Sequence, residues 1–465
     1  MTNPLRAVMD IKRHELPLAL SMFVYFFAVI TTFWILKPIK KAVFIQFYDQ
    51  QGVEILGVVF KASQAELLAK VLNLVVASFA VILFSWLARR FARQQLTHIF
   101  SALFAVGFAL YAWLLPHAGP GTVWTFYLFG DLYSTVMVAT FFAFLNDAVT
   151  PEAARRIYGL IVLGGVSGGV FGSTFLRVWI DRIGKDGWMW ICLGVAAVIA
   201  IAAAFAGRRV DPSASPARAS ADEPRTTEGS PALEGARLVF RSRYLLAIVA
   251  MVGLYEIVST VLDFQFTATV AHYLDGPAIG KQFSTVYTIT NVTSFVVQLL
   301  LTGFVMSRFR LTVALMILPL AVAAGSGAFL LFPVLWVGSS LNTVDNALSY
   351  SIQQSAREAL YTVTTRAEKY NAKAFIDMFV QRLAKVVAVG LSLGVTMVFT
   401  DFSSLRWLSV LTIGVAVLWV FAARYAGRRF HEEGERKTTE GAEGTEARSR
   451  RITGRDDAGA EMRRP

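Results

Sequence analysis

Twelve apolar stretches, each about long enough to cross a bilayer, run through this 465-residue chain. A hydrocarbon core about 30 Å thick is spanned by roughly 20 apolar residues in helical form, and the bilayer offers no water to satisfy a backbone left unpaired, so such a chain folds as a bundle of helices inside the membrane. The pattern predicts helices over roughly 15–37, 62–88, 97–115, 122–147, 156–182, 188–206, 243–272, 281–306, 310–331, 332–358, 372–398 and 404–425. Composition agrees: 55% of residues are hydrophobic and mean hydropathy is +0.54, far from a water-soluble chain of this length. The fold class expected is an all-α integral membrane protein with twelve transmembrane helices.

Net charge is +12. Such a balance suits nucleic acid, anionic lipid or an anionic small molecule. Most of it sits between the apolar stretches and in the tail, which selects the bilayer and an anionic solute, with no nucleic acid as a partner. The single cysteine, Cys192, lies in an apolar run and excludes an internal disulfide. The basic N-terminus leads into a full-length span with no cleavage site after a short apolar core, so no signal peptide is expected and the first helix is retained. His14, His98, His117, His272 and His431 are scattered, and the chain has no P-loop or nucleophile elbow. An enzyme, a metal site and a cofactor are therefore not expected.

Lysine and arginine alternate between loops. Arg89, Arg90 and Arg93, then Arg155 and Arg156, Arg208 and Arg209, Arg308 and Arg310, and Arg366, Lys369 and Lys373 fall on one side, while the turns at His117–Pro120, Phe332–Pro333 and Thr400–Ser404 carry none apart from their flanks. The bias predicts both termini in the cytoplasm, in a bacterial inner membrane. Lys37, Lys40, Lys41 and Lys61, after the first span, break the trend. Something other than topology is expected to hold them.

A Pro, Ser, Ala and charge-rich segment divides the chain into an N-terminal six-helix bundle (1–207), a cytoplasmic linker (208–242) and a C-terminal six-helix bundle (243–425), followed by a basic tail read as disordered (426–465). The halves echo each other: Val149-Thr150 with Ala153 and Arg155 matches Val363-Thr364 with Ala367 and Lys369, and Arg90-Phe91 matches Arg308-Phe309, at offsets of 214 and 218. Two parallel six-helix repeats with a midplane site between them are the major facilitator architecture.

Charges inside spans mark substrate or ion paths. Lys37 lies three and four residues from Lys40 and Lys41, so a helix would let three cations converge on one polyanion, or snorkel to the headgroups. Glu66 and Lys70 are spaced for an intrahelical pair. Asp131 falls within the fourth span, where it pairs with a first-helix lysine or caps; Asn146 and Asp147 close that span. Gly164, Gly168 and Gly172 form a stripe suited to close helix packing. Glu256 and Asp263 share one side of the seventh helix. The tenth, with Asn342, Asp345, Asn346, Ser349, Gln353, Arg357 and Glu358, is too polar to face lipid. Lys373, Asp377, Gln381 and Lys385 make one stripe on the eleventh.

Ile35-Leu36-Lys37-Pro38-Ile39-Lys40-Lys41, Gly130-Asp131-Leu132-Tyr133, the run Phe144–Tyr158, Tyr350-Ser351 through Arg357-Glu358 to Tyr361, and Lys373 to Asp377 with Lys385 resemble the motifs of the ATP/ADP translocases of plastids and obligate intracellular bacteria. The resemblance implies a twelve-helix exchanger of major facilitator type that moves nucleotides, with Lys40, Asp131, Arg357, Lys373 and Lys385 at the family's charged positions. The substrate-binding set expected is Lys37, Lys40, Asp131, Asn146, Arg357, Glu358, Tyr361, Lys373, Asp377 and Lys385, in a monomer. Three positions depart from the resembled pattern: Lys41 stands where the family has an acid, Ser259 where an acid aligns, and Asp263 where the family tends to be basic. Phe23, Tyr25, Trp34, Tyr133 and Tyr361 are candidates to stack on a base. A proton-coupled carrier of another organic anion, titrating at Asp131, Glu256 or Asp263, and a membrane sensor without flux are the alternatives.

Overall fold

The computed structural model describes residues 12–55, 57–149, 151–209, 231–364 and 372–461. Arg6, most of the linker, Arg366 and Lys369 lie outside the described residues, as does part of the second copy of the Val-Thr repeat.

The N-terminal half comprises α1 (Leu16–Tyr48), α2 (Ala62–Arg90), α3 (Arg93–Leu114), α4 (Pro120–Ala148), α5 (Pro151–Trp179) and α6 (Lys185–Gly207). The C-terminal half comprises α7 (Arg243–Tyr273), α8 (Pro277–Arg308), α9 (Leu311–Leu331), α10 (335–360), α11 (373–398) and α12 (Leu405–Glu461). Among the described residues eleven helices are long and apolar enough to cross a membrane. The expected twelfth, α10, is a continuous helix too, but its polar side chains keep it from counting as a lipid-compatible span. π-helical turns interrupt α8 at Val297–Thr302, α10 at Ser349–Gln353 and α11 at Ile376–Val380; such bulges concentrate at functional positions.

Four features depart from the expected boundaries. Although Pro38 removes one backbone donor, α1 continues to Tyr48 and carries Lys40 and Lys41 inside a helix instead of a loop. A two-stranded antiparallel hairpin, β1 (Val53–Ile55) and β2 (Val58–Phe60), follows and is the exception to an all-α chain. Gly52 serves it: φ is +63°, and a Cβ there would meet the Phe60 carbonyl oxygen at 2.8 Å. A short helix, Pro231–Arg241, occupies the end of the linker and buries Val239. Finally, α12 runs on through residues that read as an unstructured tail, a stretch with no proline before Pro465 to stop it.

Each half has its own apolar core. The glycine stripe of α5 packs directly on α1: a Cβ at Gly164, Gly168 or Gly172 would stand 2.5–2.7 Å from the carbonyl oxygens of Phe23, Phe27 and Thr31, the close approach small residues permit. The repeat seen in sequence recurs in backbone. Phe91 and Phe309 both break a helix in extended conformation, φ −120° and −111°, and both still donate to the carbonyl four residues back.

The halves meet along α1 and α5 against α8, and α2 against α7 and α11. Polar contacts join them at the end opposite the linker: Gln46 Nε2 donates to the Gly276 carbonyl (2.7 Å), Lys61 Nζ to the Thr400 carbonyl (2.6 Å), Gln64 Nε2 to Thr396 Oγ1 (3.1 Å), and Lys281 pairs with Asp181 (2.7 Å). Lys61 thus bridges the halves instead of obeying a topology rule.

Candidate substrate site

A cavity of about 490 Å³ lies between the halves. Five lysines (Lys37, Lys40, Lys41, Lys70 and Lys385) and four carboxylates (Glu66, Asp131, Glu256 and Asp263) line it. Lys40, buried, bonds the Asp131 carboxylate of α4 and lies 4.3 Å from the centre of the Tyr127 ring. Gly130 makes room for that lysine, since a Cβ there would stand 2.8 Å from its Cδ. Lys41 lies 2.9 and 3.0 Å from the two oxygens of Asp263 and 3.9 Å from Glu66. Lys70 bonds Glu66 at 3.0 Å and also Asp263. Tyr127 donates to Glu66 at 2.6 Å.

Two lysines of the N-terminal half therefore grip one carboxylate of the C-terminal half. The Glu66–Lys70 pair is not only intrahelical: it belongs to this bridge. Lys385 of α11 pairs with Glu256 of α7 at 3.1 Å. Lys37 is different. It has no carboxylate partner among the described residues and instead sits 4.7 Å from the Trp34 ring, 4.8 Å from Tyr287 and 5.8 Å from Phe33, contacts a cation accepts from aromatic faces.

The departures from the resembled motifs resolve into contacts. Lys41 and Asp263, each of opposite sign to the residue expected there, are partners, so the swap preserves the charge of the cavity. Ser259 donates to Asp345 of α10 at 2.8 Å.

The model of the Major Facilitator Superfamily matches residues 18–363. The chain belongs to that superfamily. Solved structures with this fold include the nucleoside transporter NupG (TM-score 0.60, 13% identity, covering 89% of this chain and 99% of that one) and the POT family transporter PepTSo (TM-score 0.61, 12% identity, 88% and 98%). Among curated proteins, "ADP,ATP carrier protein 1" of Chlamydia muridarum is 23% identical over 94% of this chain and 93% of its own length, and "ADP,ATP carrier protein 2, chloroplastic" of Arabidopsis thaliana is 22% identical over 66% and 55%. The protein is a multi-pass membrane transporter of the superfamily and a divergent relative of those carriers.

Of the expected site residues, Lys37, Lys40, Asp131 and Lys385 share this cavity. Arg357, Glu358, Tyr361, Lys373 and Asp377 do not; they gather where α10 ends and α11 begins. Lys373 Nζ holds both Glu358 oxygens, at 2.8 and 2.6 Å, and lies 5.5 Å from the Tyr361 ring; Gln381 donates to Asp377 at 3.1 Å. Arg357 contacts Gln354 at 3.2 Å and lines a side cavity of about 180 Å³ whose wall shares Tyr255, Glu256 and Tyr350 with the main one. Asn146 is exposed and accepts from Tyr158 at 2.5 Å, apart from both. Tyr25 and Tyr133 belong to the core of the first half. Trp34 alone of the stacking candidates reaches the site, through Lys37. Tyr127, Tyr255, Tyr287 and Tyr350, which line the cavity, carried no signal in a chain this rich in aromatic residues.

Outside the spans, two carboxylates are held low by a cation. The Arg156 guanidinium, with Nε 3.1 Å from Glu15, holds that carboxyl below the ordinary range, and the Lys281 ammonium does the same to Asp181.

Proposed function

We propose that the protein exchanges nucleotides of the ATP/ADP kind across the membrane by alternating access, with the lysine-lined cavity as the binding site. The observation that carries this reading is the uncompensated cation: four of the five lysines are paired, and Lys37 waits beside Trp34 and Tyr287 for an anion. A lone charge among membrane spans is costly, so the empty carrier resists reorientation while a loaded one does not; that asymmetry produces exchange. A polyanion would draw further lysines, beginning with Lys41 and Lys70, away from Asp263 and so loosen the bridge between the halves. Relatives named ADP,ATP carriers, matched over 94% and 93% of the chain, support the substrate class. Rocking of the two halves about the site follows the superfamily architecture, and the proposed orientation has both termini in the cytoplasm.

The net excess of a single cation also supports a second reading, an organic anion of lower charge that engages Lys37 and leaves the pairs intact. Reconstituted liposomes separate the two. Labelled ATP uptake that requires internal ADP supports nucleotide exchange; no ATP uptake, with uptake of a singly charged anion from the same preparation, replaces it with the second reading.

A further inference from the structure

A fifth carboxylate, Asp345 of α10, stands one hydrogen bond behind the cavity wall. It is wholly buried. Ser259, which lines the cavity, donates to Oδ2, whereas Oδ1 has no hydrogen-bond partner and no lysine or arginine pairs with the group among the described residues. Neighbouring Asn342, also buried, leaves its amide nitrogen unpartnered.

The charged groups facing Asp345 are Glu256 and Asp263 of α7 and Lys37 of α1, with the hydroxyls of Tyr255 on α7 and Tyr350 on its own helix. Of the other helices packed on α10, α8 brings Tyr287 to this region, while its Lys281 is paired with Asp181 at the closed end; α9 has no ionisable side chain, and α12 packs on the C-terminal turns of α10, Gln354–Leu360, well beyond Asp345. An ionised carboxylate in an apolar interior without a counter-charge is far costlier than a neutral one, and both nearby carboxylates would repel it. The three carboxylates first named as titrating candidates, Asp131, Glu256 and Asp263, all have lysine partners.

We propose that Asp345 carries a proton in this conformation and is a proton site that decides between exchange and net transport. The proton leaves once the carboxyl turns so that its O–H donates to Ser259 Oγ, which passes its own proton to water in the cavity, and the carboxylate left behind supplies the negative charge that Lys37 lacks. With the proton in place the empty cavity holds one uncompensated cation and returns only with an anion aboard. With the proton gone, five lysines face five carboxylates and the empty carrier returns unloaded. The consequence for flux rests on the anion-exchange reading above; the proton site itself does not.

Two measurements test these parts separately. Infrared difference spectra of the purified protein in H2O and D2O need no substrate: the wild type shows the C=O stretch of a protonated, buried carboxyl that fades as pH rises, and Asp345→Asn lacks it. Absence of that band in the wild type, or its survival in Asp345→Asn, overturns the proton site whatever the substrate is. If Asp345→Asn is not recovered folded, Ser259→Ala replaces it; removing the donor should shift the band, and an unmoved band overturns the assignment. In liposomes loaded with ADP, wild-type net efflux into ADP-free medium should rise with pH, while Asp345→Asn retains exchange and shows net efflux at least tenfold lower at every pH. Net efflux in Asp345→Asn equal to wild type, or net efflux that follows sodium and not pH, overturns the coupling role. Failure of ADP to exchange at all would count against the nucleotide reading and leave the infrared result to decide the proton site.

Discussion

The cavity between the halves and the cluster where α10 meets α11 are built from the same residue types, yet of the two only the cavity holds ion pairs that cross from one half to the other among the described residues. In the cavity, Asp263 of the second half is held by Lys41 and Lys70 of the first. In the cluster, Lys373 and Glu358 belong to the same half and are each about a third or more exposed, 32% and 42%. A pair that crosses the interface must stretch or break when the halves rock, so it reports and controls the transport cycle. A pair within one half travels with it. Placement in the cavity between the halves, more than the identity of the residues, separates the proposed transport site from local support.

The largest loss is expected at Lys40, whose buried pair with Asp131 lies within the first half but lines the cavity. Removing one partner of a buried pair leaves the other uncompensated and costs about 3–5 kcal/mol, so Lys40→Ala should lower transport by roughly 100-fold or more while the protein still reaches the membrane. Uptake normalised to membrane-inserted protein measures this. Wild-type uptake in Lys40→Ala would remove the cavity's claim to be the site.

Next in size is a reversal of the bridge. Lys41→Asp and Asp263→Lys should each lose most transport. Combined, they restore the pair with its sign exchanged, and a coupling of about 0.5–3 kcal/mol is expected for residues in contact. Additive losses in the double variant would mean the pair does not act as a unit.

Sharpening the contrast from the other side, Lys373→Ala should cost only about 0–1 kcal/mol, the value of an exposed pair. A change in uptake of less than about fivefold is expected, and a loss matching Lys40→Ala would promote the α10–α11 cluster to the site.

The smallest effect expected is at the closed end. Because Lys281 depresses Asp181, the pair contributes at neutral pH and above, and its contribution fades as pH falls through the acidic range. Asp181→Asn should therefore differ from wild type in thermal unfolding at pH 7 and converge with it in acid. A difference that persists in acid would assign the effect to something other than the ion pair.

Much of this was legible from residue order. Span length and polarity gave the bundle, and the doubled Arg-Phe breaks gave the two halves, because helix-sized apolar runs in a bilayer leave little choice. Lys37, Lys40 and Asp131 stood out because charges inside such runs are expensive. The helical spacing of Glu66 and Lys70 gave their contact, but nothing local told that Asp263, some 190 residues on, would complete it. Pro38 misled the end of α1, since packing against α5 and α8 holds the helix together past the missing donor. Lys373, Asp377, Gln381 and Lys385 read as one stripe because spacing fixes a face of a helix and not depth along it; of these only Lys385 lines the cavity with the lysines of α1. The tyrosines of the cavity wall were hidden among many similar residues.

The central claim is that the cavity between the halves receives the anion. Ser134 lines it and is neutral, and the native Cys192 is fully buried, so a Ser134→Cys variant gives a single accessible thiol. In membrane vesicles, a water-soluble methanethiosulfonate reagent should modify this cysteine and block uptake, and ADP or ATP should slow the modification. A thiol that is unreactive, or one modified at the same rate with every nucleotide and anion tested, would contradict the assignment of the site.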